Sequence, residues 1–228
     1  MNSVFDFSAT RYYYDTQAAA LATAYEQADM SSVHADLTDF FAPGSRLLEC
    51  GSGSGREAAF LLRQGMDVLA SDGSAEMVRQ ALLRHPELAG RLARVSLPEG
   101  LGNYARASFD GVISIATLMH FTAAQVTAFM ENVAVLLKPG GKFYFSICLA
   151  RAGVDEAGFD HAGRFFLLRP QNWWNERLSD TGFSPAGVRI SNDGLGRREI
   201  RWLSVRALKK IKTSLPSATT NGRHKGFP

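Results

Sequence analysis

The sequence predicts an α/β fold: a single doubly wound, mostly parallel sheet of seven strands, with helices on both faces and an antiparallel strand at its edge. Three observations predict it. Short apolar runs alternate with segments of helical periodicity along most of the chain. The connections between them are short, as in βαβ units. The last two strand-like runs follow one another across a short loop, which predicts an antiparallel pair.

The first two elements are predicted to be helices. Residues 12–30 are rich in alanine and place apolar side chains at helical spacing. Ser31-Ser32 offers an N-cap for a second helix over residues 33–41, and Pro43-Gly44 ends it.

From residue 46 onwards, predicted strands and helices alternate. Glycines follow the first strand, Pro86 ends a helix, and residues 138–141 (Lys-Pro-Gly-Gly) form a turn. The predicted strands are 46–50, 66–71, 92–97, 109–116, 142–148, a run beginning at Gly182-Phe183, and 199–207. The predicted helices are 57–64, 75–84, 123–137 and 170–181, with loops over 151–166 and 192–197.

Composition narrows the class of protein. The 228 residues are 46% hydrophobic and 21% charged, as in a globular domain. No apolar run approaches the roughly 20 residues that span a bilayer, and the amino terminus lacks the pattern of a secretory signal. The two cysteines are too few for a disulfide framework and have no metal-ligand spacing. We therefore expect a cytoplasmic protein without membrane or metal, as a monomer or homodimer.

Positive charge is concentrated at the carboxyl end. Residues 197–228 hold nine Lys or Arg residues and one Glu, although the whole chain carries only +3. Residues 213–228 are rich in Ser, Thr, Gly and Pro, which predicts a flexible basic tail. The predicted division is a helical cap (1–44), a main domain (45–212) and this tail. Because the excess charge lies in the tail, we expect no nucleic-acid partner.

A glycine-rich loop links the first predicted strand to the next helix. Residues 47–55 read Leu-Leu-Glu-Cys-Gly-Ser-Gly-Ser-Gly, so Gly51, Gly53 and Gly55 alternate. Glycines let the backbone turn sharply and approach a ligand, and the helix start can hold an anion. The third glycine comes one residue too early for the GxGxxG dinucleotide fingerprint. A nicotinamide-dependent oxidoreductase is therefore disfavoured.

Two carboxylates flank this loop. Glu49 precedes the first glycine by two residues, and Asp72 ends the second predicted strand, 21 residues after Gly51. A carboxylate at the end of that strand can accept hydrogen bonds from both hydroxyls of a ribose. The predicted ligand therefore contains a ribose.

Four motifs together resemble the class I S-adenosylmethionine-dependent methyltransferases. They are Glu49-Cys-Gly-Ser-Gly-Ser-Gly, Val68-Leu-Ala-Ser-Asp-Gly-Ser, Phe109-Asp-Gly-Val-Ile and Leu137-Lys-Pro-Gly-Gly. The resemblance covers roughly residues 12–209, in the family's order and spacing. Segments 51–57, 72–77 and 199–205 are similar to small bacterial methyltransferases of the tellurite-resistance type. The resemblance implies a Rossmann-like methyltransferase fold, S-adenosylmethionine as cofactor, and methyl transfer to a small-molecule acceptor.

The resemblance also implies which residues bind the cofactor. They are Glu49, Gly51, Ser52, Gly53, Gly55, Arg56, Asp72, Gly73, Met77, Ile115 and Ala116. The glycines are implied to lie against the methionine part of S-adenosylmethionine. Glu49 is implied to orient the loop or to reach the amino group of the cofactor through water. Asp72 is implied to hold the ribose hydroxyls, and the backbone of Ile115 and Ala116 to line the sulfonium end.

The adenine end is less defined. The resemblance places Gly73 and Met77 beside the adenine. Many relatives have an aspartate after the third strand, but this chain reads Val-Ser-Leu-Pro-Glu there. Ser96, Leu97 and Glu99 all stand as candidates for the adenine contact.

His120 and Tyr14 are the candidate catalytic residues. His120 follows the fourth predicted strand, where an α/β sheet opens its ligand crevice, and its ordinary pKa of about 6.5 suits a general base. Capping of the next helix or packing beside Phe121 is the structural alternative. Tyr14 belongs to a tyrosine cluster whose ring faces attract a sulfonium, although tyrosines on a helix also serve in packing.

The acceptor decides whether a base is needed. A thiolate or a tellurium or selenium anion needs none, whereas a phenol or amine would use His120. The pocket is expected to be apolar, lined by Leu118, Met119, Phe121, Phe165 and Phe166. The alternative function is a non-catalytic S-adenosylmethionine-binding regulatory protein whose basic tail contacts nucleic acid.

Overall fold

The computed structural model describes residues 8–211. The strands are β1 (Arg46–Cys50), β2 (Asp67–Asp72), β3 (Leu92–Arg94), β4 (Phe109–Ile115), β5 (Leu137–Ala150), β6 (Phe183–Asn192) and β7 (Arg201–Lys209). The helices are α1 (Ser8–Gln27), α2 (Ser31–Phe40), α3 (Arg56–Arg63), α4 (Ala75–Arg84), α5 (Ala123–Leu136) and α6 (Gln171–Asp180). The strands form one sheet of seven, in the order β3-β2-β1-β4-β5-β7-β6.

The sheet is parallel from β3 to β5, and β7 runs antiparallel between β5 and β6. Strands β2 and β3 lie on one side of β1, and all the strands from β4 onwards lie on its other side. At such a reversal the loops diverge and leave a ligand crevice at the carboxyl ends of the strands. The predicted fold class is confirmed, and the antiparallel strand lies in the hairpin at the edge.

Helices cover both faces of the sheet. Adjacent residues of a strand point to opposite faces, so Leu47 packs into the core beneath α2 and α3, whereas Leu48 packs into the core beneath α5 and α6. The same alternation separates Val112 from Ile113. Strands buried on both faces read as continuous apolar runs, which is why β1 and β4 were recognisable from the sequence.

Helix α1 packs against α4. Ala18 and Ala22 are buried against Met77 in a small apolar cluster. The Ser74 hydroxyl, at the N-cap of α4, donates a hydrogen bond to Asp15 of α1. These contacts hold α1 beside the carboxyl ends of the strands.

Several predicted boundaries are wrong. Ser31-Ser32 does not cap α2 but lies within it, because the helical hydrogen bonds already begin at Met30, whose carbonyl accepts from His34. Residues 138–141 do not form a separate turn: they belong to β5, where a shift in register against β4 and a φ of 71° at Gly140 accommodate them. Strand β3 is shorter than predicted, since it ends at Arg94.

The division of the chain is not tested by these contacts. The cap over residues 1–44 and the main domain over 45–212 stay predictions. The predicted tail, 213–228, lies outside the described residues. Between residues 8 and 211, no helix combines the length and apolarity needed to cross a membrane.

Candidate active site

A cavity of about 600 Å³ lies at the carboxyl ends of β1, β2 and β4, beside α1. Its size is typical of small-molecule sites, and its position is the crevice expected from the reversal of strand order. Among the predicted site residues, Tyr14, Glu49, Gly51, Ser52, Gly53, Arg56, Asp72, Gly73, Ile115, Ala116 and His120 line it. Gly55 and Met77 do not belong to the lining.

The three glycines of the loop have different surroundings. All have positive φ, at 79°, 55° and 82° in chain order, which favours glycine. A Cβ on Gly51 would overlap the side chain of Thr117, and a Cβ on Gly55 would lie 2.6 Å from Leu88. Gly53 has more space and lines the cavity. Close packing therefore requires glycine at 51 and 55, and the backbone conformation requires it at all three.

Asp72 is held in place by backbone amides. Its Oδ2 accepts from the N–H of Gly53 and its Oδ1 from the N–H of Ser74, both at 2.9 Å. Burial raises the pKa of Asp72 to about 6, although these backbone hydrogen bonds act in the opposite direction. The cavity thus has a fixed carboxylate at the end of β2.

At the glycine-loop side of the cavity, two buried polar atoms, Glu49 Oε2 and Ser52 Oγ, have no hydrogen-bond partner among residues 8–211. Burial, followed by the charge of Glu57, raises the pKa of Glu49 well above its ordinary value. Glu57 is also buried, but the hydrogen bond from His34 and the charge of Arg56 outweigh burial and lower its pKa. Buried polar atoms normally have partners, so the two unpartnered atoms indicate a polar ligand.

Replacing these neighbouring carboxylates by glutamine should change stability in opposite directions. We expect Glu49→Gln to raise the free energy of unfolding of the ligand-free protein by about 1 kcal/mol or more, because the folded state penalises its ionised form. The gain should grow as pH rises above about 4.3, the unfolded-state pKa. Glu57→Gln should lower stability at neutral pH, and this loss should disappear as pH falls through the lowered folded-state pKa. Urea unfolding at several pH values measures both, and changes of the same sign would contradict this assignment.

The end of β4 has a strained backbone. Ala116 has a φ of 54°, a conformation that non-glycine residues rarely adopt. Its N–H donates to the carbonyl of Ser146 on β5 at 3.0 Å, which holds it there. Strain of this kind clusters at functional sites, and Ala116 lines the cavity together with Ile115 and Ser146.

His120 lies in the same cavity in a defined tautomer. Its Nδ1 is 2.7 Å from the carbonyl oxygen of Phe165, which can only accept, so Nδ1 carries the proton. Its Nε2 is 2.8 Å from the hydroxyl of Tyr14 and therefore accepts from it. Burial lowers the pKa of His120 to about 4, and the charge of Arg164 acts in the same direction. At neutral pH the imidazole is thus uncharged, with Nε2 as its basic atom.

Tyr14 is positioned by tertiary contacts. Burial raises the pKa of its phenol, although the charge of Arg164 and a hydrogen bond with Tyr25 lower it. Its ring packs edge-on against Tyr13 and His120, with centroids 5.7 and 5.5 Å apart. The phenol is therefore a neutral donor to His120.

The side of the cavity beyond His120 is more charged than predicted. Of the five predicted apolar residues, Met119, Phe121 and Phe166 belong to the lining and Leu118 and Phe165 do not. Arg151, Arg164 and Arg197 also line this side. This side therefore combines three of the predicted apolar residues with arginines that segments distant in sequence bring to it.

At the opposite side, Gly73 lines the cavity together with Ser96, Leu97 and Glu99. All three candidates for the adenine contact therefore line the same cavity as Asp72. Met77 is buried in the contact between α1 and α4.

Arg151 and Tyr25 are two of the lining residues that the sequence analysis did not select. Arg151 directly follows β5, and the rule that selected His120 after β4 would have selected it too. Tyr25 lies on α1 and gave no local signal, since only the packing of α1 brings it to the cavity. No cluster of three or more potential metal ligands occurs in the described part of the chain.

Comparison with known proteins agrees with this geometry. Residues 48–145 match the family model described as a methyltransferase domain. The chain is 32% identical over 130 residues to the biotin biosynthesis bifunctional protein BioHC of Cellvibrio japonicus, which covers 53% of this chain and 24% of that protein. It is 36% identical over 104 residues to the ubiquinone biosynthesis O-methyltransferase of Xanthomonas axonopodis pv. citri, which covers 45% of this chain and 43% of that protein.

The aligned part therefore spans less than half the length of these curated relatives. Neither is of the tellurite-resistance type, so that narrower resemblance stays a prediction. A solved structure of Burkholderia thailandensis 1,6-didemethyltoxoflavin-N1-methyltransferase, with bound 1,6-didemethyltoxoflavin and S-adenosylhomocysteine, has a TM-score of 0.69 at 22% identity. It covers 89% of this chain and 88% of that one. At this identity the likeness shows a shared fold.

Proposed function

We propose that this chain, a member of the class I S-adenosylmethionine-dependent methyltransferases by its domain and its fold, transfers a methyl group to a small-molecule acceptor by in-line displacement. The proposal rests on one observation above all. The unpartnered atoms Glu49 Oε2 and Ser52 Oγ and the fixed carboxylate of Asp72 line one cavity at the strand reversal.

These residues fit the polar groups of S-adenosylmethionine. Asp72 would accept from the ribose hydroxyls, as carboxylates at this position do in related folds. Glu49 would accept from the amino group, directly or through water, and the Ser52 hydroxyl would donate to the carboxylate. Gly53, with no side chain in the cavity, leaves room for the methionine part. Two hydrogen-bond acceptors and one donor therefore match the ribose hydroxyls, the amino group and the carboxylate of the cofactor.

When bound, S-adenosylmethionine supplies a methyl carbon already activated by the positive sulfur. The protein then has to hold the two reactants in line and exclude water. Ala116, fixed by its bond to Ser146, lines the cavity at the end of β4. Tyr14 and Tyr25, both on α1, also line the cavity.

His120 is the proposed general base, and Tyr14 orients it. Nδ1–H donates to the Phe165 carbonyl, so Nε2 is the atom that can take a proton from the acceptor. In the resting protein the Tyr14 hydroxyl donates to Nε2 at 2.8 Å, which fixes the ring. Because burial lowers the pKa of His120, the proton should leave the acceptor during methyl transfer rather than before it.

Two measurements test the function. Calorimetry should show S-adenosylmethionine binding at micromolar strength, and a coupled assay should detect S-adenosylhomocysteine with at least one acceptor from a panel of thiols, oxyanions, phenols and amines. Failure of the unmutated protein to bind the cofactor would overturn the proposal. Cofactor binding without turnover on any acceptor would favour the non-catalytic alternative.

Within the described chain, charge pairing does not favour that alternative. Arg197 pairs with Asp193 at 2.7 Å, and Arg206 pairs with Asp36 and Asp39 at 2.7 Å each. Arg197 and Arg206 are therefore compensated within the protein, and the basic tail on which the alternative depends lies outside the described residues.

A further inference from the structure

We propose that the acceptor is a small carboxylic acid whose carboxylate binds Arg151 and Arg164 while its nucleophile faces Nε2 of His120. This proposal rests on the proposed methyl transfer and names the class of acceptor for it. Four observations carry it: the distribution of charge in the cavity, an uncompensated positive charge, an unpartnered guanidinium atom and the aromatic walls.

Charge is unevenly distributed in the cavity. In the first half of the sheet, the lining residues Arg56 and Glu57 pair with each other at 2.6 Å. The carboxyl groups of Glu49, Asp72 and Glu99 line the same part of the cavity without an ion pair among the described residues. Across the strand reversal, the segments after β5 and β6 contribute Arg151 and Arg164, together with Arg197 and Asp193, which pair with each other at 2.7 Å. The region of α1 adds one charge of each sign, Arg11 and Asp29. The acidic side suits a cofactor with an ammonium, a sulfonium and a ribose. The basic side suits an anion.

Two of the arginines share a single carboxylate. Asp160 is buried, and its Oδ2 accepts from Arg164 Nε at 2.9 Å and from a second Arg164 nitrogen at 2.5 Å. Arg151 lies 3.4 Å from the same oxygen. Arg197 has its own partner, Asp193. Arg151 and Arg164 together therefore keep one positive charge that Asp160 does not balance.

Arg151 also has a free donor. Its Nε is buried and has no hydrogen-bond partner among the described residues. The side chain is only 16% exposed, and its guanidinium lies 4.7 Å from the ring centre of Phe166. A buried donor on a charged group is costly to leave without an acceptor, so a ligand oxygen at this position would stabilise the site.

A carboxylate fits these features better than other anions. It carries one negative charge, equal to the excess, and its two oxygens match the planar fork of a guanidinium. The rings of Tyr13, Phe166 and Trp202 line the same side, which favours a flat or apolar body. The charges of Arg164 and Arg151 also help to lower the pKa of His120, so an anion bound to them would make Nε2 a stronger base.

The chemistry then balances within the site. The acceptor's second group, a hydroxyl, thiol or amine, forms a bond to the methyl carbon as the carbon–sulfur bond breaks. The sulfur keeps that electron pair and becomes a neutral thioether. The proton of the nucleophile passes to Nε2 of His120. No oxidant or further reactant is required.

Binding of matched probes to the protein saturated with S-adenosylhomocysteine tests the proposal. We expect benzoate, 4-hydroxybenzoate or hexanoate to bind at least about tenfold more tightly than the amide of the same acid, in calorimetry. Arg151→Gln should reduce the ratio of the affinity for the acid to the affinity for its amide to near one. Arg151→Lys, which keeps the charge but loses Nε–H, should retain part of this preference. Arg106→Gln, an exposed arginine outside the cavity, is the matched control and should leave the ratio unchanged.

Each outcome is decisive. Equal binding of acids and amides to the unmutated protein, or a preference that survives Arg151→Gln, overturns the proposal. Tighter binding of phenyl phosphate than of benzoate overturns the choice of a carboxylate. A folding defect would weaken the binding of the acid and of the amide alike. The ratio of the two affinities therefore distinguishes such a defect from a loss of carboxylate recognition. Arg151→Lys gives a second variant for this test. Failure to bind S-adenosylhomocysteine would refute the proposed function itself.

Discussion

Replacing Asp72 by asparagine should weaken S-adenosylmethionine binding about 100-fold, because two charge-assisted hydrogen bonds to the ribose lose an ionised acceptor. The variant should still fold, since asparagine keeps an oxygen that can accept from Gly53 or Ser74. Calorimetry measures the affinity, and thermal unfolding verifies the fold. Asp67→Asn is the matched control: it removes an exposed carboxylate at the start of the same strand, which pairs with Arg91 at 2.6 Å. Unchanged affinity of Asp72→Asn would refute the assigned role.

The pH dependence of binding gives an independent test of Asp72. Burial raises the pKa of this carboxyl to about 6, so it loses its charge as pH falls through that value. The affinity of the unmutated protein for the cofactor should therefore decrease below about pH 6, and that of Asp72→Asn should stay nearly constant over the same interval. An affinity that is constant down to pH 4 in the unmutated protein would contradict this.

His120→Gln should lower kcat by about 10²- to 10⁴-fold with an acceptor whose nucleophile carries a proton, and leave cofactor affinity unchanged. Glutamine can accept from Tyr14 and donate to the Phe165 carbonyl, but it cannot take up a proton. Steady-state kinetics with S-adenosylhomocysteine detection measures the effect. A thiolate acceptor should lose little activity in the same variant. Equal losses with both kinds of acceptor would indicate a structural role for His120.

The pH profile of kcat should reflect the burial of His120. Its pKa is lowered to about 4, so the imidazole is already neutral near pH 6 and becomes protonated only in stronger acid. With a neutral acceptor, the acid limb of kcat should thus lie well below the ordinary histidine value of about 6.5. Tyr14→Phe should change kcat less than His120→Gln, because it frees Nε2 without removing the base. An acid limb of the kcat profile near pH 6.5 would show that burial does not lower the pKa of His120.

Several parts of the site could be predicted from the chain because they are local. The loop from Gly51 to Gly55 and the carboxylate of Asp72 follow predicted strands, and parallel strands bring such positions to one edge. His120 was found by the same rule. The distinct environments of the glycines were not predictable. The side chain that a Cβ on Gly51 would overlap belongs to Thr117, which follows another strand.

Long-range contacts were beyond the reach of local patterns. Tyr14 and His120 are 106 residues apart, and only the packing of α1 on α4 brings them into hydrogen-bonding distance. The cluster of Arg151, Asp160 and Arg164 depends on how the segment after β5 folds back over Phe166. The position of β7 between β5 and β6 likewise depends on pairing that no short window reveals.

The order of elements, the cofactor loop and a ribose-containing ligand could thus be inferred from the amino-acid sequence, because hydrophobic periodicity and glycine spacing act over a few residues. The identity of the cofactor was implied by the resemblance of four motifs to a known family. The raised pKa of Glu49, the lowered pKa of His120, the pairing of Tyr14 with His120 and the basic side of the cavity emerge only when the chain is folded. These properties depend on burial and on charges from distant segments, since desolvation and Coulomb interactions act through space and not along the chain.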